Sequence, residues 1–236
     1  MENRAILMGF YGGDKTHALA AWSSTFMDLE IEMPDQMDMR VDAVIEHILT
    51  NSKKIRDIKG LLTYLAQEGH NSPFRFSTLH FVTTTEIATH VQFLKHSVAL
   101  EAENAESARY KELKEDKFYL PEDWKELGQT GVNWYETLKR QSEVNNSLYH
   151  DCLADLVKAG MDKSRAKESA RFFKMYNSQL NSNKKMSFDG FLQIYFKRNL
   201  KTHSQLEIGE VVEQMLHEIK NIEGNPFKYS LEAFSL

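Results

Sequence analysis

The sequence predicts a single α+β domain spanning residues 1–236, with helices dominating the C-terminal half. Three observations predict it: an apolar run that stops at a Tyr-Gly-Gly-Asp turn, an aromatic and β-branched run with period-two alternation, and apolar stripes of helical spacing through most of the remainder. No repeat, low-complexity tract or long Pro/Gly/Ser linker divides the 236 residues, and a hydrophobic content of 42% suffices for a sizeable core.

AILMGF (5–10) has strand composition and ends at Tyr11-Gly12-Gly13-Asp14, after which HALAAWSSTFMDL (17–29) reads as helix. Val41, Val44, Ile45, Ile48 and Leu49 form one helical stripe; Ile58, Leu61, Leu62 and Leu65 form another, stopped by Gly69. FRFSTLHFVTTT (74–85) alternates Leu79, Phe81 and Thr83 against His80 and Val82 and is predicted as a strand. A helix follows through Ile87, Val91 and Leu94. Trp134–Val157 carries few breakers and keeps the stripe Leu148, Cys152, Leu153 and Leu156; further helices are expected over 163–180 and 188–197. Ile208, Val211, Val212, Met215, Leu216 and Ile219 give the best amphipathic pattern in the chain, a core or subunit contact.

The totals exclude several function classes. With 29 basic and 34 acidic residues the formal charge is −5, without the basic excess of a nucleic-acid binder. No apolar run approaches the roughly 18 residues needed to span a bilayer, and MENRAILMGFYGGDK lacks a secretory leader, so a cytoplasmic protein is expected, in a bacterial cell or, if viral, in its host. One cysteine, Cys152, rules out a disulfide framework within the chain, and no ligand spacing joins His80, His90 and His96 into a metal site. Cys152 lies on an apolar stripe beside Asp151 and Asp155, the opposite of the electropositive setting a catalytic thiolate needs.

The polar stretch KHSVALEAENAESARY (95–110) poses the functional question. Ser107 and Arg109, two apart, project to one side of an extended segment, where a hydroxyl and a guanidinium together hold a phosphate. The competing reading is an exposed connection with Arg109 paired to a nearby glutamate. Composition alone leaves both open.

Four segments in order, GHNSPF (69–74), QFLKHS (92–97) with NAESARY (104–110), ARFFKMYN (170–177) and FKRNLKTHSQLEI (196–208), resemble the flavin-dependent thymidylate synthases. Those enzymes carry GH-x-[ST]-PF, then RHR-x-x-S-x-N-x-x-S-x-RY, then a late arginine before an AQ-x-EI-like helix start. The likeness spans roughly residues 40–236. It implies a central, mostly antiparallel sheet flanked by helices, and conversion of dUMP to dTMP using FAD, NADPH and methylenetetrahydrofolate in a homotetramer with shared active sites.

Carried over by position, the resemblance makes His70, Ser72, Lys95, His96, Ser97, Ser187, Asp189, Gln193 and His203 flavin contacts. It makes Gln92, Lys95, Ser107, Arg109, Arg171 and Arg198 nucleotide contacts, with Arg171 supplied by a neighbouring subunit. Arg198 takes the catalytic role, because activating C5 of uracil without a covalent adduct builds negative charge on the ring and a positioned guanidinium stabilises it.

Several positions depart from the pattern. The triplet reads Lys95-His96-Ser97 rather than Arg-His-Arg: the lysine keeps the charge but loses the bidentate fork, and the serine removes fork and charge together; the signature is two residues longer before Asn104; Ala105 replaces a common glutamate, for which Glu103 or Glu106 substitutes if the loop is rebuilt; and Arg75 stands where an acidic residue is frequent. Two alternatives follow: a flavin- and folate-dependent C5 hydroxymethylase of dUMP or dCMP, or a catalytically silent nucleotide-binding homologue.

Overall fold

A computed structural model describes residues 2–24, 31–51, 57–107 and 109–236. The chain opens with β1 (Arg4–Tyr11), α1 (Asp14–Trp22), α2 (Arg40–Asn51) and α3 (Ile58–Gln67). A 3-10 turn, Ser72–Arg75, leads into β2 (Thr78–Glu86), followed by α4 (Ile87–Leu94) and β3 (Leu100–Ala105). The C-terminal half holds α5 (Gly128–Lys158), α6 (Lys163–Ala170), a 3-10 turn Arg171–Phe173, β4 (Gln179–Met186), α7 (Phe188–Arg198), α8 (Leu206–Lys220) and α9 (Lys228–Ala233). The expected α+β class holds, and no helix among the described residues is long and apolar enough to cross a membrane.

Three expectations need correction. The predicted helix over 163–180 ends at Ala170, and residues 179–186 form a strand instead. Its sequence, QLNSNKKM, lacks apolar alternation, so pairing on both sides rather than local pattern selects the extended form. Residues 72–75 form a 3-10 turn around Pro73 and Phe74, so the strand predicted from 74 begins at Thr78. The polar stretch 95–110 contains a third short strand, β3. Of the helix expected over 17–29, the part through Trp22 is present and residues 25–29 lie outside the described residues.

The four strands form one antiparallel sheet in the order β1-β2-β4-β3. Leu79, Phe81 and Met186 point into a core shared with Leu62, Phe93, Phe191 and the α8 stripe Ile208, Val211, Val212, Met215, Leu216 and Ile219, all buried as the periodicity requires. The other sheet face carries exposed His80, Asn183 and Lys185.

The two ends of the chain are locked together by a buried hydrogen-bond chain. The Asp14 carboxylate accepts from Tyr229 N (2.7 Å), Ser230 N (2.8 Å) and Ser230 Oγ (2.6 Å), which caps α9 from outside. Since the Ser230 proton goes to Asp14, His17 Nδ1 donates to Ser230 Oγ (2.8 Å) and Nε2 accepts from Ser77 Oγ (2.9 Å). The ring is therefore neutral, in line with burial lowering its pKa to about 3.

One charge pair lies in the core. Fully buried Lys184 on β4 pairs through Nζ with Glu103 Oε1 on β3 (2.8 Å), also bonds Ser182 Oγ, and sits 4.9 Å from the centre of the Phe93 ring. Burial pulls the Lys184 pKa down and the Glu103 contact opposes it; burial, then Lys184, lowers that of His90, whose Nδ1 is 3.5 Å from Glu103. Removing one partner strands the other without water. Lys184→Met is expected to cost about 3–5 kcal/mol in urea unfolding, and adding Glu103→Leu to recover most of it. Equal stability of the single and double variants would contradict this account of the β3–β4 pairing.

Candidate active site

The register of β4 decides where the candidate residues meet. Met186, at the end of β4, pairs with Leu79 near the start of β2 and with Leu100 at the start of β3. The segments entering those strands, 70–77 and 95–99, and the segment leaving β4, 187–198, therefore arrive at one edge of the sheet. This edge collects His70, Ser72, Lys95, His96, Ser97, Ser187, Asp189, Gln193 and Arg198.

Helix α7 organises that edge. Ser187 is its N-cap, with Oγ accepting from Gly190 N at 3.1 Å. The buried Asp189 carboxylate accepts from Arg75 Nε (2.8 Å) and Gln193 Nε2 (2.9 Å). Gly190 packs so closely on the Ala99 carbonyl that a Cβ has no room, which seats the 95–99 turn on the helix. In the last turn, where the helix dipole favours a cation, Arg198 Nε donates to His96 Nε2 at 3.0 Å. At about 1.5 Å rise per residue, Asp189 and Arg198 stand about 14 Å apart along the axis, so the site is elongated.

His70, Ser72, Lys95, Ser97 and His203 are exposed, with their polar ends open to solvent. Gln92, in the last turn of α4, hydrogen-bonds Gln205 at the start of α8, and Ser204 Oγ donates to the Arg198 carbonyl at 2.8 Å. The 199–205 connection that carries His203 is thereby tied to both helices.

Ser107, Arg109 and Arg171 lie at the other edge. β3 leaves the sheet at Ala105, opposite Ser182, and β4 enters at Gln179. Arg109 Nε pairs with Glu168 of α6 at 2.5 Å, Ser107 Oγ accepts from Arg109 N at 3.4 Å, and exposed Arg171 follows directly on α6. The glutamate partner for Arg109 that composition allowed is thus present, and it leaves the guanidinium fork open. Glu106 is committed to Lys111 (2.7 Å) and to Asn181 N (3.2 Å), and Glu103 to Lys184. Roughly 15–20 Å of β4 separates the two groups within one chain.

Sequence reasoning did not find the partners that hold the candidate residues. Glu168, Gln205 and the Arg75–Asp189 pair carry no local motif. The only sequence signal for the last was Arg75, at a position where an acidic residue is frequent.

The electrostatics are those of a site that handles an anion. Burial first, then Arg198 and Lys197, hold the His96 pKa below its ordinary value, so Nε2 stays free to accept. Neutral imidazole, guanidinium forks and exposed hydroxyl and ammonium donors are the groups with which an enzyme of the charge-stabilising class meets an anionic substrate.

Comparison with known proteins gives that class a family. The family model described as thymidylate synthase complementing protein matches residues 13–223. The flavin-dependent thymidylate synthase of Streptomyces avermitilis is 28% identical over 190 residues (75% of this chain, 76% of the relative), and that of Pseudothermotoga lettingae 28% over 201 residues (84% and 86%). In the fold comparison, the UMP/dUMP methylase PolB of Streptomyces cacaoi, solved with 5-Br dUMP, superposes with a TM-score of 0.73 at 20% identity, covering 99% of this chain and 95% of that one. The chain belongs to the flavin-dependent thymidylate synthase family, a family of flavoenzymes that act as methyltransferases.

Acid converts His96 from acceptor to cation and breaks its bond to Arg198. The lowered pKa places this loss below the ordinary imidazole value of about 6.5, so function is retained from neutral pH down and lost only under more acid conditions. The pH profile of kcat/KM is expected to show an acid limb below about pH 6.5 that disappears in His96→Gln, which keeps an acceptor but cannot titrate. An unchanged limb in that variant would assign it to another group.

Proposed function

We propose that the protein catalyses the reductive methylation of dUMP to dTMP in the cytoplasm, with methylenetetrahydrofolate as carbon donor, FAD as bound cofactor and NADPH as reductant. The single observation that carries this reading is the Arg198–His96 pair at the end of α7, seated beside the 95–99 turn. Arg198 is tethered by Nε, which leaves its two Nη groups to face the pyrimidine; there they stabilise the negative charge that C5 activation places on the ring. His96 holds that orientation without adding a proton of its own.

The donor set at the same edge fits a flavin dinucleotide. Lys95 supplies a cation, Ser72 and Ser97 hydroxyls, and His70 an imidazole, all exposed, while Gln193 offers its amide beside them. When bound, reduced flavin supplies the hydride that completes the methyl group. Ser187 keeps its O–H available for donation, because its cap uses the oxygen lone pair.

The phosphate end of the nucleotide falls to Ser107, Arg109 and Arg171. Their separation from Arg198 within one chain supports a homotetramer in which one subunit's phosphate group meets another subunit's α7. Arg109→Ala and Arg198→Ala proteins are each expected to lose about 100-fold or more in activity. Co-refolding the two is expected to recover up to about a quarter of wild-type activity in mixed oligomers, which contain one intact composite site. Mixed oligomers that form and stay inactive would place all of these residues in one subunit's site.

Product mass decides the chemistry. With dUMP, methylenetetrahydrofolate and NADPH the expected product is dTMP; a hydroxymethylated nucleotide, from dUMP or dCMP, would move the protein to a different reaction of the same fold. No turnover together with tight nucleotide binding would identify a silent homologue.

A further inference from the structure

The Arg75–Asp189 contact has no role in the reading above and is unusual in its burial. Asp189 is 2% exposed, whereas the Arg75 side chain is 59% exposed. An ion pair this lopsided stabilises little on its exposed half, yet it requires a carboxylate to be held almost dry. The cost is offset by the position of Asp189 in the first turn of α7, at the positive end of the helix dipole, and by the second bond from Gln193 Nε2. The carboxylate is therefore held in place from two sides, and what it fixes is the exposed guanidinium.

The geometry of that hold is informative. Only Arg75 Nε contacts Asp189, which leaves both Nη groups without a partner among the described residues. A guanidinium clamped through Nε presents its remaining N–H groups as a preset fork, the arrangement that meets two phosphate oxygens at once. Ser72 and Arg75 also occupy the first and last places of one 3-10 turn, where side chains three apart eclipse. The exposed Ser72 hydroxyl and the Arg75 fork thus share a face, next to exposed His70 and the exposed ring of Phe76.

We propose that Arg75, positioned by buried Asp189, is a ligand for the pyrophosphate of the flavin dinucleotide, with Ser72 as its companion donor. The inference rests on the flavin reading of this edge. It also accounts for the triplet Lys95-His96-Ser97, in which two guanidinium groups are missing: one fork is supplied from the neighbouring turn instead. Asp189, at a flavin-contact position by resemblance, acts on the cofactor through Arg75 and is a positioning residue.

The test is flavin affinity rather than turnover. FAD, FMN and riboflavin are titrated into full-length protein stripped of flavin, with binding followed by flavin fluorescence and calorimetry. Wild type is expected to prefer FAD over riboflavin, with affinity for FAD falling as salt rises. Arg75→Gln is expected to weaken FAD about 10-fold or more, to flatten the salt dependence, and to leave riboflavin within about twofold. Arg75→Lys, which keeps charge without the fork, falls between. Ser72→Ala, at an exposed site, is expected to weaken FAD about threefold and keeps the proposal testable where the arginine variants fold poorly. An unchanged FAD-to-riboflavin ratio in Arg75→Gln and Ser72→Ala overturns this assignment alone. If wild type binds none of the three flavins, the flavin reading itself fails.

Discussion

Main-chain pairing of β4 on both of its sides is the constraint on which the site depends. β4 is polar along most of its length, and no local preference makes NSNKK extended. Its conformation is imposed by ladders to β2 and β3, whose register is fixed on one side by the Lys184–Glu103 pair and on the other by Thr83 and Ser182, whose hydroxyls meet at 3.0 Å. A slip of one residue would turn Lys184 to solvent and Lys185 into the core. Because β2 and β3 both start where β4 ends, the same register brings the GHNSPF turn, the KHS turn and α7 to one edge. The core charge pair and the outward-facing candidate residues are thus two consequences of one alignment.

Three arginines named in the site share one form of restraint. Arg75, Arg109 and Arg198 are each held through Nε, by Asp189, Glu168 and His96 respectively, and among the described residues each keeps its fork open. Ordering a free arginine side chain on a ligand costs rotamer entropy of about 1.5–2 kcal/mol, and a tether already made in the unliganded protein removes part of that cost from binding. A lysine tethered through its ammonium keeps two N–H donors, but they rotate about one atom and form no planar fork of fixed direction. Lys95, exposed where the resemblance expects an arginine, therefore brings charge to the site but little preset direction. The partners also differ in what they do to the fork: carboxylates drain charge from Arg75 and Arg109, whereas neutral His96 leaves Arg198 its full positive charge, the property a group facing a developing anion needs.

Much of this was legible in the sequence, and the failures have physical causes. The α8 stripe, the Leu79–Phe81–Thr83 alternation and the Gly69 stop all appear as read, because each follows from local periodicity or from a positive φ that glycine accepts (+69° at Gly69). β3 and β4 were missed because Glu103, Ser182 and Lys184, which face inward beside Met186, are polar, satisfy one another in the fold and interrupt any hydrophobic pattern along either strand. The candidate ligands came from ordered motifs, but their tethers lie far off in the chain: Arg75 to Asp189, Gln92 to Gln205, His96 to Arg198. Such pairings are properties of topology, and a single sequence does not display them.

The departures from the family pattern are easier to interpret once the two edges are separated. Lys95, Ser97 and Arg75 fall at the edge where α7 begins or where the 95–99 turn packs on it; at the far edge Ala105 and the longer stretch before Asn104 depart, whereas Ser107, Arg109 and Arg171 keep the expected types. The changes of charge are thus concentrated on the edge proposed for the cofactor, and the group proposed for the phosphate keeps its hydroxyl and two guanidinium groups. Within the altered edge, charge is moved more than it is lost: the serine at 97 removes a cation, and Arg75 brings one back, seated on the Asp189 carboxylate. Under the proposed reading, a site rebuilt in this way keeps a guanidinium fork at the start of α7 and leaves Arg198 at its end undisturbed, which separates the grip on the cofactor from the stabilisation of charge on the pyrimidine.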